Sequence, residues 1–415
     1  MSTDISDSDG QEESISFNPR KIKPVKREVE LVIEKYASEG SSIGYDEGKV
    51  VFVRYALPGE KVLANVYKET SDYAVAEPLE IITPSPDRIK APCPYFGLCG
   101  GCDYQMLPYE KQLEAKAQLS LEVFRRIGGF TLPELTGTVK SPSEYYYRNT
   151  ETFKVNPRKN LIGFFRKDTK FIVDINVCML AMPGINEALA DIRLRGPFPP
   201  HNFKVRTTGK GDTVVHWVKT ENYEDREVFE TISAAGRDLT FKISKDSFFQ
   251  VNNSVIPLWI EKIISFLDPD GHEKIYDLYS GIGLITLFVS FFAKETIGIE
   301  IAKSSVQDAD YNLNLNNIKS NVKFIQAGVE EKIAELGCAD VIIIDPPRRG
   351  LDPETIASIK RSGPGKIIYS SCRPSTMARD IKDFSDEYTI KEMYLFDMFP
   401  QTQHMEMLSL LTRKN

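Results

Sequence analysis

Two side chains in the last fifty residues have the types and settings that covalent chemistry needs. Cys372 closes the apolar run GKIIYSSC, and Arg373, Pro374 and a helix-forming stretch from Ser375 follow it. A thiol at a strand-to-helix turn meets the positive end of the helix and a neighbouring guanidinium. A lowered pKa and a nucleophilic thiolate are therefore expected. Cys338, in ELGCAD, has no such setting and reads as an inert core thiol. Glu406 stands just before the final apolar run, and in an extended segment it shares a face with His404. A partly buried carboxylate there can serve as a general base. The remaining cysteines are unevenly spread. Cys93, Cys99 and Cys102 form a C-x5-C-x2-C triplet, and Cys178 stands apart. Such soft ligands suit zinc or an iron–sulfur cluster, and spacing alone leaves both open, although four-cysteine zinc sites usually show two close pairs.

A second group of residues marks a cofactor cleft. In IYDLYSGIGLITL a strand ends at a turn containing Gly281 and Gly283, and a helix follows. Glycines there let backbone approach a ligand at the carboxyl end of a strand, where open sheets bind ligands. The dinucleotide fingerprint is not met, because Thr286 stands at its third position. Glu300 ends the next strand, TIGIEI, where a carboxylate can accept from both ribose hydroxyls. Asp277 adds an acid that suits a cationic methionine moiety better than a pyrophosphate, so the set favours S-adenosylmethionine. The following strand ends in IIIDPPRRGLD, where two prolines stiffen a polar loop after Asp345. A thiol, a methyl donor and a carboxylate base are the minimum for methylating a pyrimidine at carbon 5. Thiolate addition to carbon 6 makes carbon 5 nucleophilic, and a base then removes the carbon-5 proton so that the thiol can leave.

These groups need elements to hold them. From Lys274 onward short apolar runs alternate with helical patterns, which predicts a doubly wound, mainly parallel α/β sheet. Residues 29–82 alternate short β-rich runs with turns, which predicts a small barrel, with EGSSIGYDEG as an exposed loop. Residues 83–108 promise little regular structure. Leu113, Ala117, Leu121 and Phe124 recur at helical spacing, so a helix is expected over 109–127. Residues 135–250 read as mostly β. The expected domains are an acidic disordered tail (1–20), a barrel (21–84), a β-rich central domain (85–245) and a catalytic domain (246–415).

Length predicts more than one domain, and 41% apolar residues suffice for a sizeable core. The net charge of −7 owes much to Asp4, Asp7, Asp9, Glu12 and Glu13; the rest of the chain is near neutral and opens with Arg20, Lys21, Lys23, Lys26 and Arg27. An RNA partner is therefore not excluded. No apolar run is long enough to span a membrane, and the N-terminus lacks a signal-peptide pattern, so a cytoplasmic monomer without disulfides is expected.

The set SFFQVNN (247–253), DLYSGIG (277–283), GIEI (298–301), DPPRRGLD (345–352), SSCRPSTMARD (370–380) and HMEML (404–408) resembles the RNA 5-methyluridine methyltransferases, specifically their iron–sulfur branch. The resemblance covers residues 28–415. It implies S-adenosylmethionine, a catalytic Cys372 with Glu406 as base, and Gln250, Tyr279, Gly281, Gly283, Glu300 and Asp345 lining the cofactor or target pocket. It implies a 4Fe–4S cluster on Cys93, Cys99, Cys102 and Cys178, and a TRAM barrel of OB type that binds RNA. The implied substrate is a uridine of 23S ribosomal RNA, with transfer RNA as the alternative and a non-catalytic iron–sulfur RNA-binding protein as the rival class. Phe248, Phe249 and Tyr279 are candidates to pack on base or cofactor, and Arg348, Arg349 and Arg373 to meet phosphate. Leu284 and Arg373 depart from the family pattern, and no second cysteine accompanies the DPP motif, which favours uracil over cytosine.

Overall fold

Alternating burial along Arg27–Ala37 (β1) sends Leu31 and Ile33 inward and their neighbours to solvent, the pattern of a strand with one wet face. In the computed structural model, which describes residues 26–130, 135–195, 201–217, 227–318 and 321–414, this strand opens a closed barrel. Ser41–Asp46 (β2), Lys49–Arg54 (β3), Lys61–Glu69 (β4) and Tyr73–Thr83 (β5) complete it in the order β1-β2-β3-β5-β4. β3 and β5 run parallel and β1 pairs with β4 to close the ring, the arrangement of an OB-type barrel. Its core is small: Val51, Val53, Val62, Ala64, Val66, Ala74 and Ala76. The stretch read as an exposed loop is instead mostly the buried strand β2. Gly44 explains it, since a Cβ there would meet the Val32 carbonyl at 2.9 Å, so the glycine serves close strand packing and not a loose turn. The acidic tail expected at 1–20 lies outside the described residues.

The chain divides into two compact units, one running up to Pro92 and including Asp103–Pro108, the other formed by Cys93–Cys102 and Tyr109–Asn415. The triplet cysteines Cys93, Cys99 and Cys102 thus belong to the second unit.

That unit begins with helix α1 (Tyr109–Val123), which passes into a π-type turn at Phe124–Gly128 and stops at Gly129, φ +74°. Strand β6 (Gly137–Val139) follows. An antiparallel sheet holds β7 (Thr150–Asn156), β8 (Leu161–Phe165) and β9 (Ile172–Asp174). After helix α2 (Pro183–Arg195), β10 (Phe203–Thr207) and β11 (Thr213–Trp217) complete its order, β11-β10-β7-β8-β9. The mostly-β expectation missed α2, because only Ile185 and Leu189 of it are buried and its apolar stripe is thin. β12 (Val228–Ala234) and β13 (Arg237–Ile243) form a hairpin, and helix α3 (Ile256–Leu267) leads to the large sheet.

The large sheet takes strands β14 (Lys274–Leu278), β15 (Glu295–Glu300), β16 (Val322–Gln326), β17 (Val341–Ile344), β18 (Lys366–Ser371), β19 (Tyr388–Phe396) and β20 (Glu406–Arg413). Between them lie helices α4 (Leu284–Val289), α5 (Lys303–Leu315), α6 (Val329–Leu336), α7 (Pro353–Ser362) and α8 (Pro374–Phe384). The order is β16-β15-β14-β17-β18-β20-β19-β6, with β14 to β18 parallel and β20 antiparallel to both neighbours. Ile275, Ile343, Ile368 and Leu408 face one core, while Tyr276, Leu278, Ile342, Ile344 and Ile367 face the other. Two apolar cores on one sheet are what continuous hydrophobic strands require, and they make the expected doubly wound fold. Among the described residues, no helix is long and apolar enough to cross a membrane.

Candidate active site

The carboxyl edge of the parallel strands gathers most of the residues singled out above. Following the sheet, Glu300 ends β15, Asp277 is the penultimate residue of β14, and Asp345 and Cys372 follow β17 and β18. Glu406 starts β20. Because β20 runs antiparallel, its beginning returns to the edge where its neighbours end. Ser371 pairs with Met407, so Cys372 and Glu406 sit side by side across adjacent strands.

Acidic charge crowds this edge. Asp277 is buried and held up to about 7, first by burial; Thr286 Oγ1 donates to its Oδ2 at 2.5 Å and opposes the rise, and Glu300 adds to it. Its Oδ1 is buried without a partner. Asp345 is also held up to about 7, by enclosure and then by Asp277. Glu406 is buried and lies well above the usual carboxylate range, through burial and the charge of Asp345; Ser370 Oγ, which donates to it at 2.6 Å, pulls the other way. Groups tuned this far from their ordinary values cluster where charge is to be received or moved.

The thiol corrects the expectation. Cys372 is pushed up to about 11, not lowered: burial leads, and Glu406 and Asp345 add to it. Arg348, not Arg373, supplies the opposing cation and hydrogen-bonds the sulfur. The sequence placed one cation near the cysteine but could not show two acids across the sheet. His404 parts from Glu406 as well. It precedes the strand, and its ring meets Phe399 edge-on at 5.9 Å. Cys338, read as core, is exposed.

The glycine turn is held by Glu300, whose carboxylate accepts from Gly281 N at 3.1 Å and from Ala302 N at 2.7 Å. Gly281 and Gly283 take φ +55° and +87°, and Tyr279 takes φ +63°. A Cβ on Gly283 would strike the Phe324 ring at 2.7 Å. The unpartnered Asp277 Oδ1 and Ser280 Oγ beside this turn fit a ligand that carries positive charge and hydrogen-bonding groups, as S-adenosylmethionine does. Gln250 is buried in an irregular segment, and its carbonyl accepts from Asn149 Nδ2 at 2.8 Å. Phe249 packs inside against Phe241, whereas Phe248 is 67% exposed. Arg348, Arg349 and Arg373 are exposed.

Several supporting residues escaped the sequence reading. Asp308 of α5 fixes the segment before Gln250, accepting from Ser244 N and from the Ser244 and Ser247 hydroxyls. Asp380 is buried, accepts from Leu351 N and the Tyr369 hydroxyl, and so fastens the DPPRRGLD loop. It lies within the quoted SSCRPSTMARD motif, a signal that went unused. Lys116 of α1 is fully buried and grips the segment before Glu406, donating to Asp397 Oδ1 at 2.7 Å and to the Phe399 and His404 carbonyls. Nothing local in the sequence marks that role.

Away from this edge, Cys93, Cys99, Cys102 and Cys178 are half-buried in the central part of the same unit. Cys99 and Cys178 are each pushed up to about 12, by burial first; Cys99 feels Cys93, and Cys178 feels Glu151 and Cys99. Asn186 of α2 clamps Cys178 on both sides, accepting from its N–H at 2.8 Å and donating to its carbonyl at 3.0 Å. Gly100 lets the triplet loop lie against Phe165, whose carbonyl a Cβ would meet at 2.7 Å. Arg148 Nε is buried without a partner, in reach of the charges of Cys178 and Cys102. Among the described residues, no three His, Cys, Asp or Glu side chains are grouped to hold a single metal ion. Thiol donors, with Cys93 and Cys178 each in electrostatic reach of Cys99, and a cationic N–H without a partner are of the donor chemistry that suits an iron–sulfur cluster.

The family model described as tRNA (Uracil-5-)-methyltransferase matches residues 202–414, and the TRAM domain model matches residues 24–79. The chain belongs to the tRNA (uracil-5-)-methyltransferase family. It is 33% identical to an uncharacterized RNA methyltransferase of Aquifex aeolicus over 95% of this chain and 100% of that one. It is 31% identical to one from Synechocystis over 93% and 96%. The crystal structure of Pyrococcus abyssi tRNA (uracil-54, C5)-methyltransferase with S-adenosyl-L-homocysteine shares the fold, with a TM-score of 0.72 at 24% identity, covering 92% of this chain and 100% of that one. As a member of this family the protein is an S-adenosylmethionine-dependent RNA uracil-5-methyltransferase with an N-terminal TRAM domain. Open parallel sheets bind ligands outside the carboxyl ends of their strands, which is where the acid-lined edge lies.

Proposed function

We propose that this methyltransferase acts through a covalent adduct between Cys372 Sγ and carbon 6 of the target uracil. The observation that supports it is the juxtaposition of Cys372 and Glu406 across β18 and β20, at the cofactor edge. S-adenosylmethionine supplies an electrophilic methyl group there. The thiol gives its proton to solvent water as it adds, and the Arg348 guanidinium favours the thiolate. Carbon 5 of the resulting enolate takes the methyl, and Glu406 removes the carbon-5 proton so that the sulfur is expelled. Gly281, Gly283, Glu300 and Tyr279 shape the cofactor side, Asp277 and Asp345 balance its positive charge, and Gln250 lies on the wall between cofactor and base. The base is turned out of its stack to reach them.

The substrate in this reading is 23S ribosomal RNA, held partly by the barrel and by Arg348, Arg349 and Arg373. Cys93, Cys99, Cys102 and Cys178 would hold a 4Fe–4S cluster that shapes the RNA-binding face, near the buried Arg148 Nε. The domains divide at about residues 84 and 245, and the protein works as a monomer in the cytoplasm. The family's description favours transfer RNA as the second reading. One experiment tests both parts. RNA fractions containing 5-fluorouridine are incubated with labelled methyl donor; fluorine cannot leave as a proton, so the adduct stays. A denaturant-stable complex that needs Cys372 is expected, with ribosomal and not transfer RNA. Methylated product formed from normal RNA by Cys372→Ala would defeat the covalent route.

A further inference from the structure

Ser370 lies two residues before Cys372 on β18, and its side chain is fully buried. Its hydroxyl accepts from Trp259 Nε1 at 3.2 Å and donates to Glu406 Oε1 at 2.6 Å. Trp259, on α3, is the largest of the fully buried side chains, so this indole is locked in place by the core around it. An indole N–H can only donate. The serine has one proton; the indole occupies one of its two lone pairs, and the proton goes to Glu406. The three groups therefore form a chain of hydrogen bonds that runs from the indole to the carboxylate. If Glu406 instead carried a proton on Oε1, that proton would point at the serine. The serine would then have to turn its own O–H away, inside a core where a lost hydrogen bond is costly.

We propose that Trp259 and Ser370 are positioning residues that keep Oε1 of Glu406 an acceptor throughout the cycle, so that the carbon-5 proton is delivered to Oε2. This rests on the reading of Glu406 as the base. In the step concerned, the carbon-5 proton goes to Oε2. The C5–H electron pair becomes the C5=C6 double bond, and the C6–S pair returns to Cys372 Sγ. Thiol addition and methyl transfer precede this step and do not need the relay. Its loss therefore slows release of the finished base and leaves its formation intact.

The test uses the full-length protein and unmodified RNA substrate. Trp259→Phe and Ser370→Ala each remove one link. For both, turnover is expected to fall about 10- to 100-fold, with KM for RNA unchanged. One labelled methyl per enzyme should still be incorporated rapidly and remain in a denaturant-stable protein–RNA complex. Glu406→Gln, run in parallel, should trap the same complex more completely. If Glu406→Gln releases methylated RNA at the normal rate, the base assignment fails and the relay with it. If Glu406→Gln traps the complex but neither relay variant does, the relay alone is overturned. The relay is likewise overturned if the variants lose the first, single-turnover methylation, because the chain of bonds then serves the fold and not proton delivery. Ser370→Ala removes a single oxygen and keeps the question open to measurement should Trp259→Phe not fold.

Discussion

Asp277 carries a cost that a cationic ligand would remove. Its carboxyl protonates at about 7 in the folded chain against an ordinary value of 3.8, because burial leaves Oδ1 without a partner. The unfolded chain therefore gives up this proton near pH 4 while the folded chain keeps it until about 7, so folding stability falls as pH rises through that window. Asp277→Asn removes the ionisation. At pH 8 the variant is expected to be more stable than the parent by about 1 kcal/mol or more, as a thermal melt would show. Near pH 4 the difference should vanish. Binding runs the other way. A sulfonium cation favours the ionised Asp277 and Asp345, so affinity for S-adenosylmethionine should rise by up to about tenfold per pH unit, per proton released, as pH passes through 7. S-adenosylhomocysteine, which lacks the positive sulfur, should show a weaker dependence in calorimetry, and Asp277→Asn should flatten the slope for the methyl donor.

Helix α1 is the element whose removal would be felt furthest from its own position. Lys116 and Asp397 form a fully buried ion pair, and the same ammonium holds the Phe399 and His404 carbonyls. Gln112 adds a reciprocal pair with Gln401, donating to its Oε1 at 2.8 Å and accepting from its N–H at 3.0 Å. Together they set the path of residues 397–405 and hence where Glu406 starts β20. Lys116→Met keeps the length of the side chain but strands the Asp397 charge in the interior. It is expected to cost about 3–5 kcal/mol, measured by urea unfolding. Activity should fall at temperatures where the variant remains folded, because the segment before Glu406 loses its anchor. Full activity with a normal unfolding midpoint would show that the segment holds its path without the clamp. The DPPRRGLD loop has the same kind of anchor in Asp380, and here the closeness of Gly350, φ +75°, to that carboxylate leaves no room for a side chain.

At the scale of the whole molecule, the second unit joins two regions of different chemistry: an acid-lined edge of a parallel sheet and four thiols in its central part. Protein purified without oxygen is expected to carry iron and acid-labile sulfide, at about four of each per chain. With Cys178 as the proposed fourth ligand, tying the segment between β9 and α2 to the triplet loop, Cys178→Ser should lose most of both and unfold at lower urea. Iron-free protein with the stability of the parent, assayed by iron content and urea titration, would remove the cluster from the account. A variant neutralising Arg348, Arg349 and Arg373 should bind RNA more weakly, and its affinity should depend less steeply on salt.

The residues proposed for the chemistry stand out in the sequence because each sits in a local pattern that needs no partner to be recognised. Cys372 and Asp345 end apolar strands, the Gly281 and Gly283 turn joins a strand to a helix, and the alternation from Lys274 onward declares a doubly wound sheet. Some local readings failed where packing overruled pattern: β2 is a buried strand whose glycine passes close to a neighbour, and α2 has too narrow an apolar stripe to announce itself. Tertiary structure alone decided which groups meet. Strand β20 turns back antiparallel and sets Glu406 beside Cys372, and Lys116 reaches across almost three hundred residues of chain to hold it there. It also decided protonation, reversing the expected direction at Cys372. Hydrogen-bond direction, burial and the charge of a side chain on the next strand fix a pKa, and none of these is a function of spacing along the chain.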